Sequence, residues 1–285
     1  MPVSQNHPYT YRPMTAADVP AAHALSVQLK WPHRLDDWAM LQQVAEGFVV
    51  EDAGRLIGTA FTCRQGDYAT IGLVIVSDAY QGQGIGRKLM EQALQACGST
   101  IAILNATLAG VPLYASQGFV EFGQIHQHQG HVKYVASPAL ADGEQCRAPS
   151  VEDWPQILEL AHAGSGLDRT RVFQNLHGAI EQTSVIERNG QLRGFAMLRA
   201  FGRGHVIGPI VAETPEQAKC LIAELLGPVQ GEFVRLDVLA DSGLNDWLGD
   251  AGLQHVDSVA QMARGTPPLP VGGVQQFALV TQAIG

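Results

Sequence analysis

Two stretches of this 285-residue chain, 135 positions apart, carry one pattern. Arg12-Pro13-Met14-Thr15-Ala16-Ala17-Asp18-Val19-Pro20 matches Arg147-Ala148-Pro149-Ser150-Val151-Glu152-Asp153-Trp154-Pro155. Each reads as a strand end, a Thr or Ser N-cap with an acid three positions later, and a helix. Glu51 to Ala60 matches Glu187 to Ala196, at an offset of 136, and both read as hairpins around a polar turn. Gln117-Gly118-Phe119 then answers to Ala251-Gly252-Leu253, at an offset of 134. A nearly constant offset over three matches predicts one fold written twice. The expected division is a first domain over residues 1–136, a linker over 137–145 containing Pro138 and Gly143, and a second domain over 146–285. Within the first half the pattern predicts a strand, two helices, three strands, a glycine loop and a helix. A strand, a short helix and closing strands through Val135 follow, giving a mixed α/β class.

The glycine loop is the chemical feature. The apolar run Val74-Ile75-Val76 ends, Gly82, Gly84 and Gly86 follow at every second position, and a helical pattern opens at Arg87 and Lys88. Amide N–H groups converging at a helix N-terminus suit a phosphate. The spacing is neither the dinucleotide fingerprint nor a Walker loop. Gln81-x-x-Gly84-x-Gly86 instead resembles the acyl-CoA pyrophosphate loop of the GCN5-related N-acetyltransferases (GNAT). About 30 residues on, Tyr114-Ala115-Ser116-Gln117-Gly118-Phe119 resembles that family's Tyr-x-x-x-Gly-Phe motif, after a strand ending in Asn105. The resemblance covers the whole first half and implies two GNAT-like domains in tandem.

It also implies roles. Acetyl-CoA would be the co-substrate, held by Val74, Ile75 and Val76 along its pantetheine arm. Gln81, Gly82, Gln83, Gly84, Ile85, Gly86, Arg87, Lys88 and Asn105 complete the expected cofactor set, although Asn105 could equally serve a turn. A primary amine would attack the thioester directly in a ternary complex. An N–H near Val74 would polarise the carbonyl, and Tyr114 would protonate the departing thiolate. The alternative for Tyr114 is a core-packing aromatic. No acid lies on the strand before the loop, so the base is sought elsewhere. His33 is the leading candidate, beside Asp36, Asp37, His126 and His128. Trp31, His33, Asp37, His126 and His128 form the expected acceptor site.

The second half has lost the loop. Gln217 keeps the place of Gln81, but Ala218, Cys220 and Ile222 replace the glycines, Glu213 and Glu216 stand nearby, and Leu248 falls opposite Tyr114. A degenerate domain is expected there, closed by a last strand over 275–281. Its expected work is packing, completion of the acceptor pocket, or dimerisation. A net charge of −9 argues against a nucleic-acid partner. Four scattered cysteines, no signal segment and no long apolar run predict a cytoplasmic protein that does not span a membrane. His126-x-His128-x-x-His131 lacks further ligands at metal spacing, so no metal is expected. Monomer and homodimer both remain open, and a non-catalytic acyl-CoA sensor is the rival reading.

Overall fold

The computed structural model describes residues 9–285. The first repeat runs β1 (Thr10–Pro13), α1 (Val19–Gln28), α2 (Leu35–Val44), β2 (Glu46–Asp52), β3 (Arg55–Gln65) and β4 (Tyr68–Val76). It continues with α3 (Ile85–Cys97), β5 (Ile101–Ala106), α4 (Val111–Ala115) and β6 (Val120–His131). The second runs β7 (Glu144–Arg147), α5 (Trp154–Ser165), α6 (Thr170–Leu176), β8 (Ile180–Arg188), β9 (Gln191–Phe201) and β10 (Gly204–Ala212). It ends with α7 (Pro215–Leu226), β11 (Phe233–Leu239), α8 (Asn245–Asp250), β12 (Gln254–Arg264) and β13 (Gln275–Ala278). The mixed α/β class and the tandem organisation are those read from the sequence.

The repeat is visible at the level of single contacts. Arg12 binds Asp18 at 2.7 Å and also Glu51; Arg147 binds Asp153 at 2.7 Å and Glu187 at 2.8 Å. Asp18 and Asp153 also accept from the backbone N–H of Thr15 and Ser150, which closes each capping box. Hydrogen bonds from Arg147 hold the Asp153 carboxyl down at about 2, and Arg12 holds Asp18 well below the usual carboxylate range. A carboxyl held below its unfolded value stabilises the fold above that value, and the contribution goes as pH falls through the folded one. The melting temperature is therefore expected to fall steeply between about pH 4 and pH 2. A double Asp18→Asn, Asp153→Asn chain should show a flatter decline there, and an unchanged slope would count against this account.

The two sheets are one. Among the described residues thirteen strands run in the order β1-β2-β3-β4-β5-β12-β6-β11-β13-β10-β9-β8-β7. At the centre, β12 of the second half lies antiparallel between β5 and β6 of the first. In return β6 pairs with β11. The equivalent strands β6 and β12 are thus exchanged. The closing strands expected through Val135 reduce to β6 alone, and the first half is completed by a strand from the other repeat. Helices from both halves share one apolar core, in which Trp38 and Leu41 of α2 join Val172 and Phe173 of α6 and Phe195 of β9. No helix among the described residues is long and apolar enough to cross a membrane.

Candidate active site

β4 and β5 pair in parallel only from Tyr68 with Ile101 to Ile71 with Leu104. Beyond that they part, while β5 keeps β12 on its other edge through Asn105 and Ala106. At the same level β4 bulges: Thr59 faces Ile75 but Phe61 faces Gly72, so Leu73 and Val74 share one place in the ladder. Leu73 takes φ +48°, and its carbonyl accepts from Thr59 Oγ1 at 2.7 Å. A left-handed Leu is costly, and it persists here because the bulge re-aims the backbone at the mouth of the splay.

Gly82 and Gly84, at φ +75° and +81°, turn the chain from β4 into α3, and Gly84 is its N-cap. A Cβ on either would touch none of the described residues, so the conformation, not crowding, requires glycine. Among the described residues no side chain caps this helix. Its first-turn N–H groups find no partner there until Lys88 N–H bonds Gly84 O at 3.2 Å. Gln81 is spent on the loop itself, donating to Val76 O and Asp78. Gln83 accepts from the Tyr9 hydroxyl, Lys88 lies 4.1 Å over the Tyr11 ring, and Arg87 reaches Ser116.

Tyr114 stands on α4, half-buried, edge-on to Phe119 with ring centroids 6.2 Å apart. Desolvation pushes its phenol up to about 12. Asn105 donates to Gln282 O at 2.8 Å, which ties the C-terminal residues across the splay.

A cavity of about 230 Å³ opens beside the bulge. Trp31 and His33 line it together with Gly72 and Leu73. Burial, and then the charges of Arg235 and Arg199, push His33 down to about 3, so its imidazole is neutral at neutral pH. Its Nδ1 is buried with no partner. Three expected acceptor residues are elsewhere. Asp37 is buried, caps α2 through Arg34 N–H at 2.8 Å, and pairs with Arg199 of β9 at 3.3 Å. His126 and His128 point to the opposite face of β6, where both contact Asn245 Oδ1 of α8 at 2.9 Å. Strand alternation gives the cavity Gln127 instead. Sequence reasoning missed Arg235, Asp257 and Thr281 to Ala283, all from the second half and all lining the cavity. Among the described residues no group of three His, Cys, Asp or Glu side chains is placed to hold a metal ion.

The second half offers the same cleft in altered form. β10 and β11 pair only at His205 with Val234 and Val206 with Arg235, and then they too part. Here β13 enters the gap, with Ala278 paired to both Ile210 and Val238. The helix that follows, α7, is capped by Thr214 Oγ1, which accepts from Gln217 N–H at 3.2 Å, and its first turn carries Glu216.

A mixed sheet whose fourth and fifth strands part, with a bulge at the parting and a glycine-capped helix beside it, is the frame of an acyltransferase. Two family models, each described as an acetyltransferase (GNAT) domain, match residues 26–135 and 157–278. Together they span most of the chain, one in each half, and the chain belongs to the GNAT superfamily of acyltransferases as a tandem two-domain member. Over 229 residues it is 29% identical to the uncharacterized N-acetyltransferase YitH of Bacillus subtilis (strain 168), covering 77% of this chain and 78% of that one. The fold is shared with a Pyrococcus horikoshii protein assigned as an acetyltransferase, with a TM-score of 0.77 at 17% identity over 97% and 96% of the two chains. It is shared also with a tandem GNAT protein from the clavulanic acid biosynthesis pathway, with a TM-score of 0.63 at 15% identity over 93% and 100%.

Proposed function

We propose that this protein moves an acetyl or other short acyl group from CoA to a primary amine, and that it binds CoA in its first half alone. The observation that carries this reading is the uncapped N-terminus of α3 beside a bulged β4 that leaves β5. The amides of Gln83 to Gly86 would hold the pyrophosphate. The edge of β4 from Leu73 to Val76 would pair with the pantetheine amides as a partner strand would. The Val74 N–H, re-aimed by the bulge, would donate to the thioester oxygen as negative charge develops there. Collapse of that intermediate breaks the C–S bond, and Tyr114 would give its proton to the thiolate.

His33 is a weak proton acceptor when burial holds it at about 3. We assign it to the cavity wall and give the amine's proton to Asp257, the one carboxylate among the cavity-lining residues, on an exposed bulge of β12. The second half would bind no acetyl-CoA: β13 fills its cleft, and α7 presents a side-chain cap and an acid where the phosphates would lie. The repeats would divide near residue 136, with the connection ending at 143 and not at 145, because β7 opens at Glu144.

The test is calorimetry with acetyl-CoA followed by thiol release with a panel of amines. One acetyl-CoA per chain and amine-dependent thiol release are expected. Gly84→Val, which denies the loop its φ of +81°, should raise the Kd at least ~30-fold. Tight binding without thiol release would make the protein a sensor. In the same assay Asp257→Asn should lower turnover ~10-fold or more, while a changed pH profile in His33→Gln alone would return the base to His33.

A further inference from the structure

The acceptor cavity is walled on its second-half side by one guanidinium. Arg235 of β11 is only 7% exposed. Its Nε and Nη2 both bond the Asp237 carboxylate, at 2.9 to 3.2 Å, and Gln282 Nε2 donates to the same carboxylate at 3.0 Å. That network fixes one edge of the fork. The other edge, Nη1, makes no hydrogen bond to any described residue, although Arg235 lines the cavity. The rest of the guanidinium is buried and held, and Nη1 is left open to the cavity, where a ligand can claim its donors.

Cations gather around it, with Asp257 the one carboxylate among the cavity-lining residues. Arg199 and Arg235 lie 5.2 and 5.5 Å from the centroid of the Phe201 ring, and the His33 ring meets the same ring at 5.7 Å. Asp37 and Asp237 partner the two arginines, and the charges of Arg235 and Arg199 both push His33 down. Lys30 adds another cation to the lining. The chain as a whole carries −9, so this gathering of cations is local.

We propose that the amine acceptor carries a carboxylate, which Arg235 receives on Nη1 while the amino group reaches the bulge at Leu73. This rests on the transferase reading above and names its substrate class: an amino acid or a similarly short amino carboxylic acid. Gly72 and Leu73 line the same cavity as Arg235, so the two ends of one small molecule can meet the two walls. At about 230 Å³ the space is below that of a drug-sized ligand site. A charge-assisted bond in a water-poor recess discriminates strongly against an analogue that lacks the charge.

The experiment compares thiol release from acetyl-CoA with L-amino acids, their carboxamides and the matching alkylamines. In the unaltered protein the best acid should exceed its own amide at least ~10-fold in kcat/KM. Arg235→Gln, and the paired Arg235→Gln, Asp237→Asn change that leaves no lone buried charge, should bring this ratio below ~2. Amides or alkylamines matching the acids in the unaltered protein would overturn the proposal while leaving the transferase reading intact. A ratio that survives in both variants would remove Arg235 from it. If acetyl-CoA binds but no amine of any class releases thiol, both readings fall together.

Discussion

Residues 1–138 expressed alone are expected to yield no cooperatively folded, active acetyltransferase half. Deleting the second half removes β12 from between β5 and β6. The ladder from Ala102 to Ala106 on one side and from Val120 to Gln129 on the other then faces water or another chain. Such bare edges pair with whatever strand is near, which favours aggregation. Ala260 and Met262 leave the core that α3 packs on, and the Val172, Phe173 and Phe195 side of the shared helical core goes as well. Losing several fully buried side chains at ~2–5 kcal/mol each exceeds the stability of most single domains. Circular dichroism melts and size-exclusion profiles check this. A fragment that melts cooperatively and turns over within ~10-fold of the full chain would refute it. Co-expression of residues 139–285 should restore solubility and activity, since exchange asks only that both pieces be present.

Tyr114→Phe should lower kcat ~100-fold or more while the Kd for acetyl-CoA moves less than ~3-fold. The substitution is clean because the ring edge against Phe119 survives and only the hydroxyl leaves. The phenol at about 12 keeps its proton well above neutral pH, which an acid for a thiolate leaving group must do. The sign is definite: the protonated form prevails below the raised value. Alkaline loss of activity below about pH 10 must therefore come from another group. Stopped thiol release across pH 6 to 10 checks both points. Full kcat in the Phe variant would return Tyr114 to packing.

The sequence disclosed the parts of this molecule that are local. A capping residue, its acid and the arginine before it recur at fixed spacing, and Arg12 with Asp18 and Arg147 with Asp153 duly form matching pairs. The glycine loop was equally legible, since a left-handed N-cap leaves few alternatives at Gly84. Exchange of β6 and β12 was not. Each strand specifies by alternation which face is apolar, and nothing in a period of two names the neighbouring strand. For the same reason His126 and His128 were assigned to the cleft: their common face was evident, but which face it was depended on α8 and Asn245. Asp37 misled by standing close in sequence to Trp31 and His33, though its place at the start of α2 made it a cap. Arg235 and Asp237 carried a readable signal, two charges alternating with Val234, Leu236 and Val238 in a buried strand. The second half was expected to help complete the acceptor pocket, but nothing in the sequence says which of its strands faces the cleft.

The exchanged sheet separates two kinds of heritable change. Bond making is entrusted to the bulge, loop and phenol of one repeat, where most substitutions would silence the protein. The far wall of the acceptor recess belongs to the other repeat, on β11, β12 and the residues after β13. Apart from Asp257, which takes the amine's proton, that copy only shapes the recess, so drift at Arg235 or Gln282 would alter what is modified and leave how it is modified untouched. A lineage carrying this architecture can acquire a new acceptor without reinventing its chemistry.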